Sequence, residues 1–196
     1  MRAAHSSLIA VDVALVPPEW VQDRARQLNQ GLRAGGLRLD ETHVPHVSLA
    51  QLFLSPGAVP LLVERLNLLL KPVRAIPVSA LAIVEQRSVV SLLLDRTPEL
   101  VALHVRLMDA LKEWEEEGGD PSAFYAESEP AREKDVEWVA NFRAAASYGN
   151  FVPHITLGLG TAPPPIEPFD FTADLVGLFH LGRFCTCRVL LRQWRL

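Results

Sequence analysis

Two hexapeptides in this chain place an imidazole and a hydroxyl two residues apart. Residues 44–49 read Val-Pro-His-Val-Ser-Leu and residues 152–157 read Val-Pro-His-Ile-Thr-Leu, with the histidines 108 positions apart. On an extended strand, side chains i and i+2 share a face. His46 and Ser48 thus face one side and Val47 and Leu49 the other. His154 and Thr156 do the same, with Ile155 and Leu157 facing the core. Two such strands side by side would surround a small space with two imidazoles and two hydroxyls. That set suits acid–base chemistry on a phosphodiester. A neutral histidine takes the proton of an attacking water or hydroxyl, and a protonated one gives a proton to the leaving oxygen. The hydroxyls of Ser48 and Thr156 would donate to the non-bridging phosphate oxygens, where charge builds in the transition state. Histidine's ordinary pKa of ~6.5 brings both protonation states within reach near neutrality. This chemistry calls for no metal and no cofactor.

The specificity lies in the six-position match. His-x-Ser/Thr alone is cheap: it recurs at His5, without the Val-Pro context. A repeat spaced over more than half the chain suggests two copies of one supersecondary unit facing each other. His43, His104 and His180 read as structural or surface histidines. Tyr148 and Phe151, just before the second motif, are candidate substrate contacts: in one reading they stack on a base, in the other they pack in the core. Arg183 is a third candidate contact; it and Arg188 either bring positive charge to a phosphate or protect an edge strand. Asp12, set among apolar neighbours, reads as a solvent-facing strand position rather than a carboxylate orienting a histidine. Gly158-Leu159-Gly160 lacks the strand-to-helix context of a phosphate loop.

The elements that must position these residues follow from periodicity and punctuation. Residues 7–16 form a β-rich run before Pro17-Pro18. Trp20, Arg24, Leu28 and Leu32 then repeat at helical spacing up to Gly35-Gly36. Strands are expected over 47–54, 75–85, 89–95, 154–159, 169–178 and 183–194, with a hairpin at 86–88. Helices are expected over 59–70, from Pro98 through Trp114, and around 138–146. The stretch 115–135 is acidic, holds Gly118-Gly119, Pro121 and Pro130, and reads as a long functional or mobile loop. Strands mixed with helices and hairpins indicate an α+β fold.

Length and composition bound the rest. At 196 residues, with 49% hydrophobic and 21% charged residues, the chain can bury a core and is neither disordered nor fibrous. It has no apolar run of membrane-spanning length, and its N-terminal stretch, interrupted by Asp12, reads as a strand rather than a signal peptide. Cys185 and Cys187, one residue apart, are expected to point to opposite faces and stay free, in keeping with a cytoplasmic protein. The net charge of −4 conceals an imbalance. Residues 113–137 carry ten acidic and two basic residues, and the remainder is +4. A mildly basic body with one acidic insertion, acting as a lid or as a barrier to long polyanions, points to a small anionic substrate.

The paired motifs resemble those of the 2H phosphoesterase superfamily, which includes bacterial 2′-5′ RNA ligase-like proteins and RNA 2′,3′-cyclic phosphodiesterases. The tail, from Phe179-His180-Leu181-Gly182-Arg183-Phe184 to Arg192-Gln193-Trp194, is similar to that of bacterial members. The resemblance implies one bilobal α+β domain with pseudo-twofold symmetry and a central cleft. It implies His46 and His154 as the acid–base pair, Ser48 and Thr156 as phosphate binders, and metal-independent hydrolysis of a 2′,3′-cyclic phosphate. The implied substrate is a small cyclic nucleotide or a short RNA 3′ end, acted on by a monomer with no protein partner. 2′-5′ RNA ligation by the same site and a non-catalytic nucleotide- or RNA-binding module are the alternatives. Departures are the long acidic stretch and the absence of a basic residue after the second motif.

Overall fold

The computed structural model describes residues 8–32, 36–126 and 128–196; His5 and Gly35 lie outside the described residues. Strand β1 (Ile9–Val16) is a nearly unbroken apolar run because it pairs on both sides and is covered on both faces. Helix α1 (Glu19–Gly31) begins after Pro18 and buries Val21, Ala25 and Asn29. Trp20, the first residue of the helical repeat, is half-exposed against Phe169 and Phe171 rather than on the buried stripe. Strand β2 (Val47–Leu54) and helix α2 (Val59–Leu70) match their expected bounds. Strands β3 (Ile76–Gln86) and β4 (Val89–Leu94) form the expected hairpin. Arg87 and Ser88 at its tip have φ of 51° and 67°, as a two-residue primed turn requires. Helix α3 (Pro98–Leu111), capped by Thr97, and helix α4 (Glu133–Ala145) precede β5 (His154–Leu159).

The end of the chain departs from expectation. The run 169–178 is two strands, not one. β6 (Phe169–Ala173) pairs with β3, and β7 (Leu175–Gly182) pairs with β1 in the other sheet. Both halves favour β structure, so hydropathy alone does not mark the change of sheet at Asp174. The last strand, β8, begins at Thr186 and ends at Arg195. Residues 183–185 form a tight turn with Phe184 at φ 64° and Cys185 at φ 53°.

The result is two antiparallel four-stranded sheets, ordered β2-β1-β7-β8 and β5-β4-β3-β6. Each motif strand is the edge of its own sheet, and β2 and β5 touch. Helix α1 packs on β5, while α3 packs on β2, so each motif strand is backed by a helix. The main core lies between these layers.

A second, smaller core lies on the opposite face of the first sheet, and the acidic stretch makes it. Glu116 donates its N–H to the Phe53 carbonyl, and Tyr125 donates to that of Leu181. Ala123, Phe124 and Ala131 are buried there, with Phe124 edge-on to Phe53 at 5.9 Å. A Cβ on Gly119 would stand 2.5 Å from the Phe53 ring, so only glycine lets the segment lie this close. The stretch read as a long functional or mobile loop is a docked layer, with short turns at Lys112–Trp114 and Pro121–Ala123.

Candidate active site

The repeated motif is a repeat in three dimensions. His46 donates from Nδ1 to the Val44 carbonyl at 2.7 Å, and His154 donates from Nδ1 to the Val152 carbonyl at 2.8 Å. In each case the partner lies two residues back across a proline. Because a carbonyl only accepts, Nδ1 carries the proton, and Nε2 is the nitrogen left for chemistry.

Each motif strand also breaks its ladder one residue after the hydroxyl. The register slips at Leu49 in β2 and at Leu157 in β5, a β-bulge in both. The carbonyls released by the two bulges are each taken by a buried polar side chain from a helix. His104 of α3 donates from Nδ1 to the Leu49 carbonyl at 2.7 Å, and Asn29 of α1 donates from Nδ2 to the Leu157 carbonyl at 2.7 Å. Gly158, at φ 150°, leaves room for Asn29, whose Nδ2 would lie 2.7 Å from an added Cβ. His104 also accepts the Tyr148 N–H on Nε2 at 2.9 Å, so one neutral, buried imidazole ties the first motif to the entry of the second. Burial lowers its pKa.

The two halves differ in one respect. Asp12 of β1, fully buried, lies beside the first motif only. Its Oδ2 accepts the Ser48 hydroxyl at 2.5 Å and the Gln51 Nε2 at 2.8 Å, and lies 3.6 Å from His46 Nε2. The solvent-facing reading of Asp12 is thus wrong, because β1 is a central strand whose outer face is covered by the acidic layer. Burial raises the Asp12 pKa, partly offset by His46, Ser48 and Gln51. The Ser48 hydroxyl is spent on this carboxylate, whereas that of Thr156 has no hydrogen-bond partner among the described residues. His154 is half-buried. Desolvation lowers its pKa, and the nearby charge of His46 lowers it further against the Val152 hydrogen bond. The two motif histidines therefore sense each other across the β2–β5 contact.

The other candidates are placed differently. Phe151 is buried and stacks on His104, with ring centroids 3.9 Å apart, so it packs the core. Tyr148 is held by its phenol, which accepts from Arg143 and donates to Asp109. Arg183 pairs with Glu129 of the acidic stretch at 2.8 Å rather than lying on an edge strand. Arg188 reaches back to Thr42 and His43.

Sequence reasoning missed Gln51, Cys187 and the roles of His104 and Asn29. Cys187 reaches the site because Val44 bridges to it across the end of the sheet. Donor atoms of Asp12, His46 and Cys187 lie within 4.8 Å of one another, a spatial grouping that residue spacing does not reveal. Both cysteines are free.

The sequence model of the 2′-5′ RNA ligase superfamily matches residues 17–175, spanning both motifs. The chain belongs to this superfamily. Its structural relatives are the 2H phosphoesterases. TT0787 of Thermus thermophilus superposes with a TM-score of 0.60 at 16% identity, over 96% of this chain and 98% of that one. A phosphoesterase superposes with a TM-score of 0.55 at 18% identity, with the same coverage. E. coli LigT, in its complex with 3′-AMP, superposes with a TM-score of 0.52 at 20% identity, again with the same coverage. No curated protein sequence matches the chain. At these identities the likeness establishes the 2H phosphoesterase fold for this superfamily member. Among the described residues, no helix is long and apolar enough to cross a membrane.

Proposed function

We propose that this protein is a metal-independent phosphodiesterase that opens 2′,3′-cyclic phosphates on small nucleotides or short RNA 3′ ends. The observation that carries the reading is the pair of Val-Pro-His-x-Ser/Thr strands meeting edge to edge, each with Nδ1 tied to a carbonyl and Nε2 left for chemistry. LigT, of the same fold, has been crystallised with 3′-AMP, ATP and NADP+, which supports a nucleotide as the ligand.

The asymmetry of the site divides the roles. His154, whose protonation burial disfavours, acts as the base. It takes a proton from water as the water oxygen bonds to phosphorus. His46, paired with Asp12 when protonated, gives its Nε2 proton to the ribose oxygen as the P–O bond to that oxygen breaks. The Thr156 hydroxyl, unpartnered among the described residues, donates to a non-bridging oxygen. Ser48 serves mainly to hold Asp12. A ribose hydroxyl in place of water would give ligation at the same site, a second reading that the superfamily's name favours. Turnover of nucleoside 2′,3′-cyclic phosphates in excess EDTA, followed by 31P NMR, tests the proposal. A monoester product is expected; an unchanged cyclic phosphate would overturn it.

A further inference from the structure

The Asp12 cluster holds more acceptors than donors. In neutral His46 the Nδ1 proton is used on Val44, so the Nε2 lone pair faces a carboxylate oxygen 3.6 Å away. Among the described residues, Asp12 Oδ1 is buried without a hydrogen bond, although the Leu49 N–H lies near the carboxylate. Gln51 Oε1 is likewise buried with no partner among the described residues. Acceptors gathered in this way call for a positive charge between them, and buried acceptors left unmet are costly. A proton on His46 is one solution. Cys187, fully buried at the same point, makes a second one available.

We propose that Asp12, His46 and Cys187 form a site for a borderline-soft divalent cation, Zn²⁺, whose binding takes His46 Nε2 out of reaction. One carboxylate, one imidazole and one thiolate are ligand types that zinc takes together, whereas magnesium and calcium want an all-oxygen shell. Zinc bonds of about 2.0–2.3 Å put tetrahedral donors roughly 3.3–3.6 Å apart. The His46–Asp12 separation of 3.6 Å already meets this, and the outer limit of 4.8 Å for the group leaves about an ångström of closure. The outer partners are in place. Val44 fixes the His46 tautomer, and Ser48 and Gln51 orient the carboxylate. On loading, the Cys187 thiol gives its proton to solvent as the S–Zn bond forms, and nothing is oxidised or reduced. Three protein donors leave a fourth position beside His46, the one member of the group that is not fully buried.

Titration of the whole protein with Co²⁺ tests the site without any need for turnover. A thiolate-to-cobalt band in the near ultraviolet is expected, saturating at one equivalent and displaced by Zn²⁺. Cys187→Ser should remove the band and weaken metal binding at least ~10-fold, while Cys185→Ser should keep both. His46→Ala, a change at a partly exposed position, should also weaken binding at least ~10-fold, so the test survives if Cys187→Ser misfolds. No thiolate band, a band that persists in folded Cys187→Ser, or unchanged affinity in His46→Ala would overturn the proposal. If the enzyme turns over cyclic phosphate, Zn²⁺ should inhibit it and EDTA should restore it. If it does not turn over, the phosphodiesterase reading fails and the cobalt spectrum still decides the metal site.

Discussion

Asp12→Asn separates function from stability because the two should move in opposite directions. The substitution keeps shape and most hydrogen-bonding capacity but removes the charge 3.6 Å from His46 Nε2. At that distance a unit pair is worth about 1 kcal/mol in water and about 4–5 kcal/mol at the effective dielectric of ~20 typical of protein sites. Only part of this should reach the rate, because a proton held less firmly is also given up more readily. A fall of about 10- to 100-fold in kcat/KM at pH 7 is expected, at ~1.4 kcal/mol per tenfold. Stability has the other sign. Burial raises the Asp12 pKa in the folded state, so the carboxylate opposes folding increasingly as pH rises through the window above its ordinary value. A neutral amide at this position escapes that cost. An increase of about 1 kcal/mol would raise Tm by about 2–4 °C for a chain of this size. Steady-state hydrolysis of a 2′,3′-cyclic nucleotide alongside thermal melts provides both readouts. A variant as active as the parent, or one that loses activity together with Tm, would show that the Asp12 charge does not serve His46 in this way.

Thr156→Ala should lower kcat/KM by about 100-fold or more through loss of a free phosphate donor. Ser48→Ala, which leaves Asp12 its charge and its Gln51 partner, should cost less than Thr156→Ala; equal losses in the two would count against the division of roles. The acid limb of the kcat/KM–pH profile should fall below the ordinary histidine value of ~6.5, because His154 must be neutral to act and burial lowers its pKa; a limb above about 7 would contradict it. His104 is held neutral in the fold, so its own contribution to stability should be constant above pH ~6.5 and fall as pH drops below that value. His104→Gln should flatten this fall at a cost of about 1–3 kcal/mol at pH 7, read from urea melts at pH 7 and pH 5.

Much of this arrangement is legible in the sequence, because local rules and tertiary packing agree where the chain is strongly patterned. β2, α2 and β5 fall at their expected bounds, and alternation places Val47 and Ile155 in the core beneath the motifs. The bulges at Leu49 and Leu157 escape such reading, since an inserted residue leaves no mark on hydropathy. Asp12 escapes it too, because strand exposure depends on what covers the sheet, and here the cover comes from a stretch more than a hundred residues away. The same holds for Phe151, whose burial rests on His104 of α3. The change of sheet at Asp174 and the meeting of Cys187 with His46 are also products of topology rather than of local sequence.

In the proposed reaction, two histidines from two copies of one motif share the work of proton transfer. The most direct measurement is single-turnover hydrolysis of a nucleoside 2′,3′-cyclic phosphate in EDTA by the parent, His46→Ala and His154→Ala, each checked for folding. Both variants are expected to lose about 100-fold or more in rate. A rate in either variant within a few-fold of the parent would contradict the account.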